Sequence, residues 1–580
     1  MRLPLAVFLA AFFVAPGCTV PSPATTTSAA TPAIDRDLID VTVPTLHQLY
    51  ADKRYTVTQV IRWHLARIDR YNPIYGAIET VLRDSALAQA ARQDTAAKTA
   101  HGPLWGVPIV IKANTSIKGE VTTAGWDGFT KAGHELVAPD DATIVARLKA
   151  AGAIIVGIAN MPDLANSDTN RSTSFGRTGN AYDVRFSPGG SSGGVVTAIA
   201  TNMAVLGNGT DTGNSIRMPA ATSALVGVFP TRGVVSIAGI APLDWLLDNT
   251  GPIARSVGDA AIALAVMSGA DSLDAITLLA PVTARSTAYD SSLSTGSLKG
   301  KRFGVPAFVL AGDGVPFHGI PSTASTSAFE QVRMRANLPL HADTRAMFEK
   351  AIAALRTAGA EVVMTNDVLP ASFAKLASRV STYAYMRDGT DRFLARYGSA
   401  EYHSAAEYER AVHAPLYTSS IGTEENFNNI AGVRLAQRVL DSDPDAEQLY
   451  RGPRRAMLAE YEATLERLKL DGFVYPAIQM PPPDETMPQD GALSGGPHSN
   501  TSWVNMIGVP AVVVPAGFYA GGLPFGLEFS GRAWSDAELL RVASAWERIG
   551  GWRIAPVLVE SGLLGVHAAR ASHALGGVAR

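Results

Sequence analysis

"DATIVARLKAAG", residues 141–152, runs straight into "AIIVG", residues 153–157, and this junction decides the fold class. The first segment reads as a helix with Asp141 near its start and Gly152 at its stop; the second is a short apolar strand. The same order recurs in "GGVVTAIATN" (193–202) followed by "MAVLG" (203–207), and in "ADTRAMFEKAIAALRTAGAEVV" (342–363). Upstream, "TVTQVIRWHLARIDRY" (56–71) carries Val57, Val60, Ile61, Leu65 and Ile68 as a helical stripe opened by a Thr56/Gln59 capping box. "GVPIVIK" (106–112) is a short apolar strand ending in Lys112. Downstream, 345–470 reads as mainly helical, 508–518 and 523–531 as late strands, and 535–550 as a closing helix. Alternation of this kind predicts an α/β fold with a mostly parallel sheet covered by helices on both faces. Two long stretches, 311–331 and 476–500, lack periodicity and read as insertions or binding loops.

The chain has 580 residues, 47% hydrophobic and 17% charged, so a large core is available. Its net charge of −3, without a long basic or acidic run, argues against nucleic acid as a partner. A single cysteine, Cys18, leaves no Cys-His cluster with metal spacing and no internal disulfide. Neither a metal nor another cofactor is expected.

At the start, Arg2 precedes the apolar run "LAVFLAAFFVA" (5–15), which is too short to span a bilayer and fits the core of a secretory signal. "APGC" (15–18) resembles a bacterial lipobox, so residues 1–18 are expected to direct export, with Cys18 as the lipidation site and a membrane attachment through that lipid. Ordinary cleavage and secretion is the alternative. "TVPSPATTTSAATPA" (19–33) has the composition of a tether. The expected organisation is therefore a signal to Cys18, a tether over 19–41, a folded domain over 42–555 and a tail over 556–580.

The chemistry concentrates in glycine-rich loops. "SPGGSSGG" (187–194) admits three readings. A phosphate cradle lacks the lysine-containing P-loop pattern. A G-x-S-x-G elbow would make Ser191 the nucleophile, but "YDVRFSP" before it is not a convincing buried strand. The third reading looks on to "GTDTGNSIRMPA" (209–220), where Ser215 follows Thr212, Gly213 and Asn214. Small residues there would let backbone N–H groups converge on a developing oxyanion, and Lys112 would supply a base.

Together "GVPIVIK", "SPGGSSGG" and "GTDTGNSIRMPA" resemble the amidase signature family of serine hydrolases, and the resemblance extends over roughly 42–550. It includes "AGAIIVGIANM" (151–161), "NTGPIARSVGDAA" (249–261) and "NMIGVPAVVVPAGF" (505–518). It implies a Ser-cisSer-Lys triad on an α/β/α sandwich with a large mixed, mostly parallel sheet. Ser215 matches the nucleophile, Ser191 the bridging serine after a cis Gly190–Ser191 bond, and Lys112 the base, with Thr212, Gly213, Asn214 and Ser215 around the oxyanion. Burial would favour the neutral amine that Lys112 needs to act as a base. Ser192 is either a further Lys112 partner or a loop residue, Asp211 and Arg217 brace the Ser215 loop, and Asn114 is a supporting or a turn residue. The chain departs from the usual family pattern at Ala113, where aspartate is common, and at Asn214, where glycine is common.

The function so implied is hydrolysis of the C–N bond of a small-molecule amide through an acyl-serine intermediate, by an exported enzyme. Two alternatives differ from it. One is a glutaminase subunit of a tRNA-dependent amidotransferase, which works in the cytoplasm with partner chains. The other is a non-catalytic binding protein on the same fold. Segments 173–182 and 385–430 are expected to shape specificity.

Overall fold

The computed structural model describes residues 32–96, 101–285, 288–312, 339–377, 379–399, 401–416, 438–486 and 496–559. The apolar run with Cys18, residues 19–31 of the tether, 313–331 and 487–495 of the two non-periodic stretches, and 560–580 of the tail lie outside them. The chain divides into two units, Met1–Ile39 and Asp40–Arg580. In the first, Ala33–Leu38 form a short helix within the stretch read as tether, with Asp35 in the first turn and Arg36 in the last, as the helix dipole favours. No helix among the described residues is long and apolar enough to cross a membrane.

The second unit contains the strands β1 (Ile78–Val81), β2 (Pro108–Lys112), β3 (Ile154–Ala159), β4 (Arg171–Ser172), β5 (Gly176–Arg177), β6 (Leu206–Asp211), β7 (Val226–Phe229), β8 (Asn249–Ala254), β9 (Arg302–Gly304), β10 (Glu361–Val363), β11 (Gly472–Pro476), β12 (Ala511–Phe518) and β13 (Pro524–Ser530). Eleven of them form one sheet in the order β1-β3-β2-β6-β8-β7-β12-β13-β11-β9-β10, and β4 pairs with β5 apart from it. Every residue of β2, β3, β6, β8, β11 and β13 is buried. Successive residues of a strand point to opposite faces, so burial of all of them means that both faces are covered.

The sheet is mixed, as the resemblance implies, but the parallel pairing that the alternation predicts is not in the majority. It joins β3, β2 and β6 on one side and β11, β9 and β10 on the other. The remaining neighbours are antiparallel, including the whole run β6-β8-β7-β12-β13-β11. The β12–β13 pair is a hairpin closed at Phe518 and Pro524, and its turn is carried by "YAGGL", a glycine-containing loop of hairpin length.

The helix Val57–Tyr75 begins with the Thr56/Gln59 capping box and buries all the apolar residues of its stripe. Helix Thr143–Ala150 leads into β3 through Gly152, whose φ of +93° and 2.8 Å approach of a hypothetical Cβ to Trp105 Cα leave room only for glycine. Helix Gly193–Ala200 occupies the predicted place, whereas the strand after it lies at 206–211 rather than 203–207. The chain turns at Asn202, which has φ +61°. The ladders to β2 and β8 then draw the polar run "LGNGTD" into the sheet, where tertiary pairing outweighs local propensity.

Candidate active site

Parallel pairing of β2 with β6, at Ile109↔Leu206 and Val110↔Gly207, brings the carboxyl ends of both strands together. That edge is where open α/β sheets place their sites, and it carries Lys112 on β2 and Asp211 on β6. Lys112 is completely buried. Its Nζ donates to Ser191 Oγ (2.7 Å), Thr210 Oγ1 (2.9 Å), Ser192 Oγ (3.0 Å) and the Thr210 carbonyl (3.3 Å). Burial pulls the amine down to about 7, against the opposing charges of Asp211 and Asp248. Gly209 allows this crowding, because a Cβ there would lie 3.0 Å from Ser192 Oγ.

Ser191 and Ser192 stand immediately before the helix Gly193–Ala200, and the Gly190–Ser191 peptide bond is cis. No strand of the described residues immediately precedes Ser191, so the strand–turn–helix setting of a nucleophile elbow is missing. The Ser192 N–H donates to the Ser215 carbonyl at 3.2 Å, tying the two serine loops together. Ser215 is 5% exposed, and among the described residues no hydrogen bond joins its hydroxyl to Ser191. The backbone N–H groups of Gly213, Asn214 and Ser215 likewise take no partner among the described residues.

Asp211 and Arg217 hold this loop from beneath. Asp211 Oδ2 accepts from the Ile216 and Arg217 N–H groups (2.9 and 3.3 Å) and from Arg217 Nε (3.1 Å). Arg217 also donates to the Gly213 carbonyl (2.7 Å), Asn505 Oδ1 (2.6 Å), Thr501 Oγ1 (2.7 Å) and Glu528 Oε1 (2.8 Å). Burial alone would raise the Asp211 carboxyl, but the Arg217 charge and the converging donors bring it below its ordinary value. Burial pushes Glu528 up to about 7 even with Arg217 opposing.

The remaining residues singled out in the sequence fall around this centre. Thr212 donates its hydroxyl to Asp248, Asn214 Nδ2 donates to Asp168 Oδ1 (3.1 Å), and Asn114 Nδ2 donates to Thr210 Oγ1 (3.1 Å). Thr210, Asp248, Asn505 and Glu528 join the site without having been singled out by motif. Glu528 does carry a signal: a lone carboxylate in the apolar strand "LPFGLEFS" requires a buried donor. Among the described residues no group of three or more His, Cys, Asp or Glu side chains is placed to hold a metal ion.

Comparison with known proteins gives this geometry its context. A family model described as Amidase matches residues 59–315 and 332–540. A glutamyl-tRNA(Gln) amidotransferase chain of Symbiobacterium thermophilum is 32% identical over 530 residues, covering 89% of this chain and 98% of that protein. Among solved structures, native peptide amidase from Stenotrophomonas maltophilia matches with a TM-score of 0.70 and 28% identity, over 89% of this chain and 98% of that one. A bacterial aryl acylamidase of the amidase signature enzymes, 21% identical with a TM-score of 0.68, shares the fold over 88% of this chain and 96% of its own. With most of its length matched, the chain belongs to the amidase family, enzymes that act on amide C–N bonds.

Proposed function

We propose that this chain hydrolyses the carboxamide of a small molecule through an acyl-serine intermediate, with Ser215 as nucleophile, Ser191 as proton shuttle and Lys112 as base. The observation that carries the reading is the hydrogen bond between Lys112 Nζ and Ser191 Oγ in a fully buried site, where burial brings the amine down to about 7. A neutral Lys112 takes the Ser191 proton while Ser191 takes that of Ser215, whose Oγ bonds to the amide carbon. Charge then builds on the carbonyl oxygen, within reach of the N–H groups of the 212–215 loop. Collapse breaks the C–N bond, the relay returns a proton to the leaving nitrogen, and water releases the acyl group as an acid by the same path. The Ser215-to-Ser191 bond closes when substrate excludes water, as catalytic hydrogen bonds often do.

Labelling with a fluorophosphonate tests the assignment. The adduct is expected on Ser215 by mass spectrometry, and Ser215→Ala abolishes labelling and turnover; an adduct on Ser191 overturns the reading. A second reading, in which the chain serves within an amidotransferase, is favoured by the 32% identity that extends over 98% of the S. thermophilum protein. Amide hydrolysis by the isolated chain decides against it, and activity that appears only with partner chains decides for it. Export, with Cys18 as a lipid attachment point, is a further part of the proposal and is supported by the run Leu5–Ala15 and the small residues before Cys18.

A further inference from the structure

Thr212 follows β6 and Asp248 precedes β8. The antiparallel ladder between these strands sets Asp211 opposite Asn249. One step to either side of that pair, the Thr212 hydroxyl donates to Asp248 Oδ1. Asp248 is 4% exposed. Its carboxylate also accepts the Leu243 N–H (3.1 Å) and the Asp244 N–H (3.3 Å). Backbone donors on both oxygens make a setting for an ionised carboxylate.

We propose that Asp248 is a positioning residue of the catalytic apparatus: it anchors the Thr212 end of the oxyanion loop and sets a negative charge beside that loop, two residues along from Thr210, whose hydroxyl accepts from Lys112. The inference rests on the assignment of Ser215, Ser191 and Lys112 given above. The loop is held at its other end by Arg217, which binds the Gly213 carbonyl, so Asp248 completes a two-point attachment. Both Asp211 and Asp248 favour the charged form of Lys112. Asp211 is already bonded to the Arg217 guanidinium, while Asp248 forms no ion pair among the described residues.

The other charges around Asp248 come from the elements packed against it. On the sheet side these are Lys112 and Asp211. From the segment after β7 comes Arg232, whose guanidinium is paired with Asp274 at 2.9 Å. Within the turn itself is Asp244, bonded by the Thr382 hydroxyl. Burial pushes Asp244 up to about 7, with the Asp248 charge adding to the effect. Burial also raises Asp248, against the Thr212 hydroxyl, the two backbone donors and Arg232.

The test follows the rate of fluorophosphonate labelling at Ser215 against pH, which needs no knowledge of the substrate. Asp248→Asn is expected to slow labelling at least tenfold and to move its acid limb to lower pH, by about one unit, because removing a nearby anion disfavours the ammonium. Thr212→Val is expected to slow labelling similarly and to move the limb less than Asp248→Asn does, since the carboxylate keeps its two backbone donors. Thr212→Ser, which keeps the hydroxyl, recovers most of what Thr212→Val loses. Normal labelling of the wild type at Ser215, together with wild-type rate and limb in Asp248→Asn, overturns this inference alone. Wild-type rates in Thr212→Val do the same should Asp248→Asn fail to fold. A wild-type adduct elsewhere than Ser215 removes both this inference and the assignment beneath it.

Discussion

A fully buried lysine must either find compensating anions or give up its proton, and Lys112 lies between these outcomes. The amine is pulled down to about 7 by burial, with Asp211 and Asp248 limiting the fall. The neutral fraction therefore grows as pH rises through 7, and only the neutral amine accepts a proton from Ser191. Activity is expected to climb along an acid limb centred near pH 7, measured on any amide that the chain hydrolyses. A flat profile from about pH 5 to 9 with chemistry rate-limiting would refute a lysine base. Lys112→Ala should cost about a hundredfold or more in kcat. Chelators should leave the rate unchanged, and loss of activity that a metal restores would count against the relay. At this scale the sequence is readable where motifs are local: Lys112, Ser191, Ser192 and Ser215 lie in compact glycine-rich or apolar strings. Thr210 is different, since its bond to Lys112 depends on the register of β2 against β6, which no local string encodes.

Arg217 shows how elements distant in the chain are fastened to one loop. Its guanidinium joins Asp211 at the end of β6, Glu528 on β13 and Asn505 before β12, all buried from solvent. Arg217→Met leaves the Asp211 carboxylate buried without its cation, and such a break costs about 3–5 kcal/mol. Urea unfolding should show that loss, and a stability within about 1 kcal/mol of the wild type would mean that the network is not maintained in solution. Glu528→Gln is expected to cost less than Arg217→Met, because burial already holds the carboxyl near neutrality at about 7. The alternation of helix and strand is legible at this scale, as are the helices at 57–75 and 143–150. Pairing direction is not: a helix between strands suggests a parallel crossover, yet β7, β8, β12 and β13 pair antiparallel. The shift of the strand after Asn202 has the same origin, since a polar run between two ladders becomes a strand through its neighbours.

For the whole molecule, where the catalytic domain works and whether it works alone are linked. A chain that serves an amidotransferase needs its partners in the cytoplasm, whereas a stand-alone amidase can act wherever it is delivered. The proposed export and lipid attachment rest on the apolar run Leu5–Ala15, the "APGC" ending at Cys18 and the Pro/Ser/Thr/Ala stretch after it. One acyl chain binds a membrane only marginally, so stable retention requires a second signal, which further acylation of Cys18 would supply. Cys18→Ser is expected to move the protein from the membrane fraction to the soluble fraction, or to leave an unprocessed precursor. Activity per molecule should stay unchanged, because Cys18 is remote in sequence from the family match, which begins at residue 59. Mass spectrometry of the mature N-terminus separates the outcomes. A lipid-modified Cys18 supports the anchored enzyme, and an unmodified terminus downstream of it means ordinary secretion. A retained Met1 in the cytoplasm refutes export and, with activity that depends on added partner chains, establishes the amidotransferase reading.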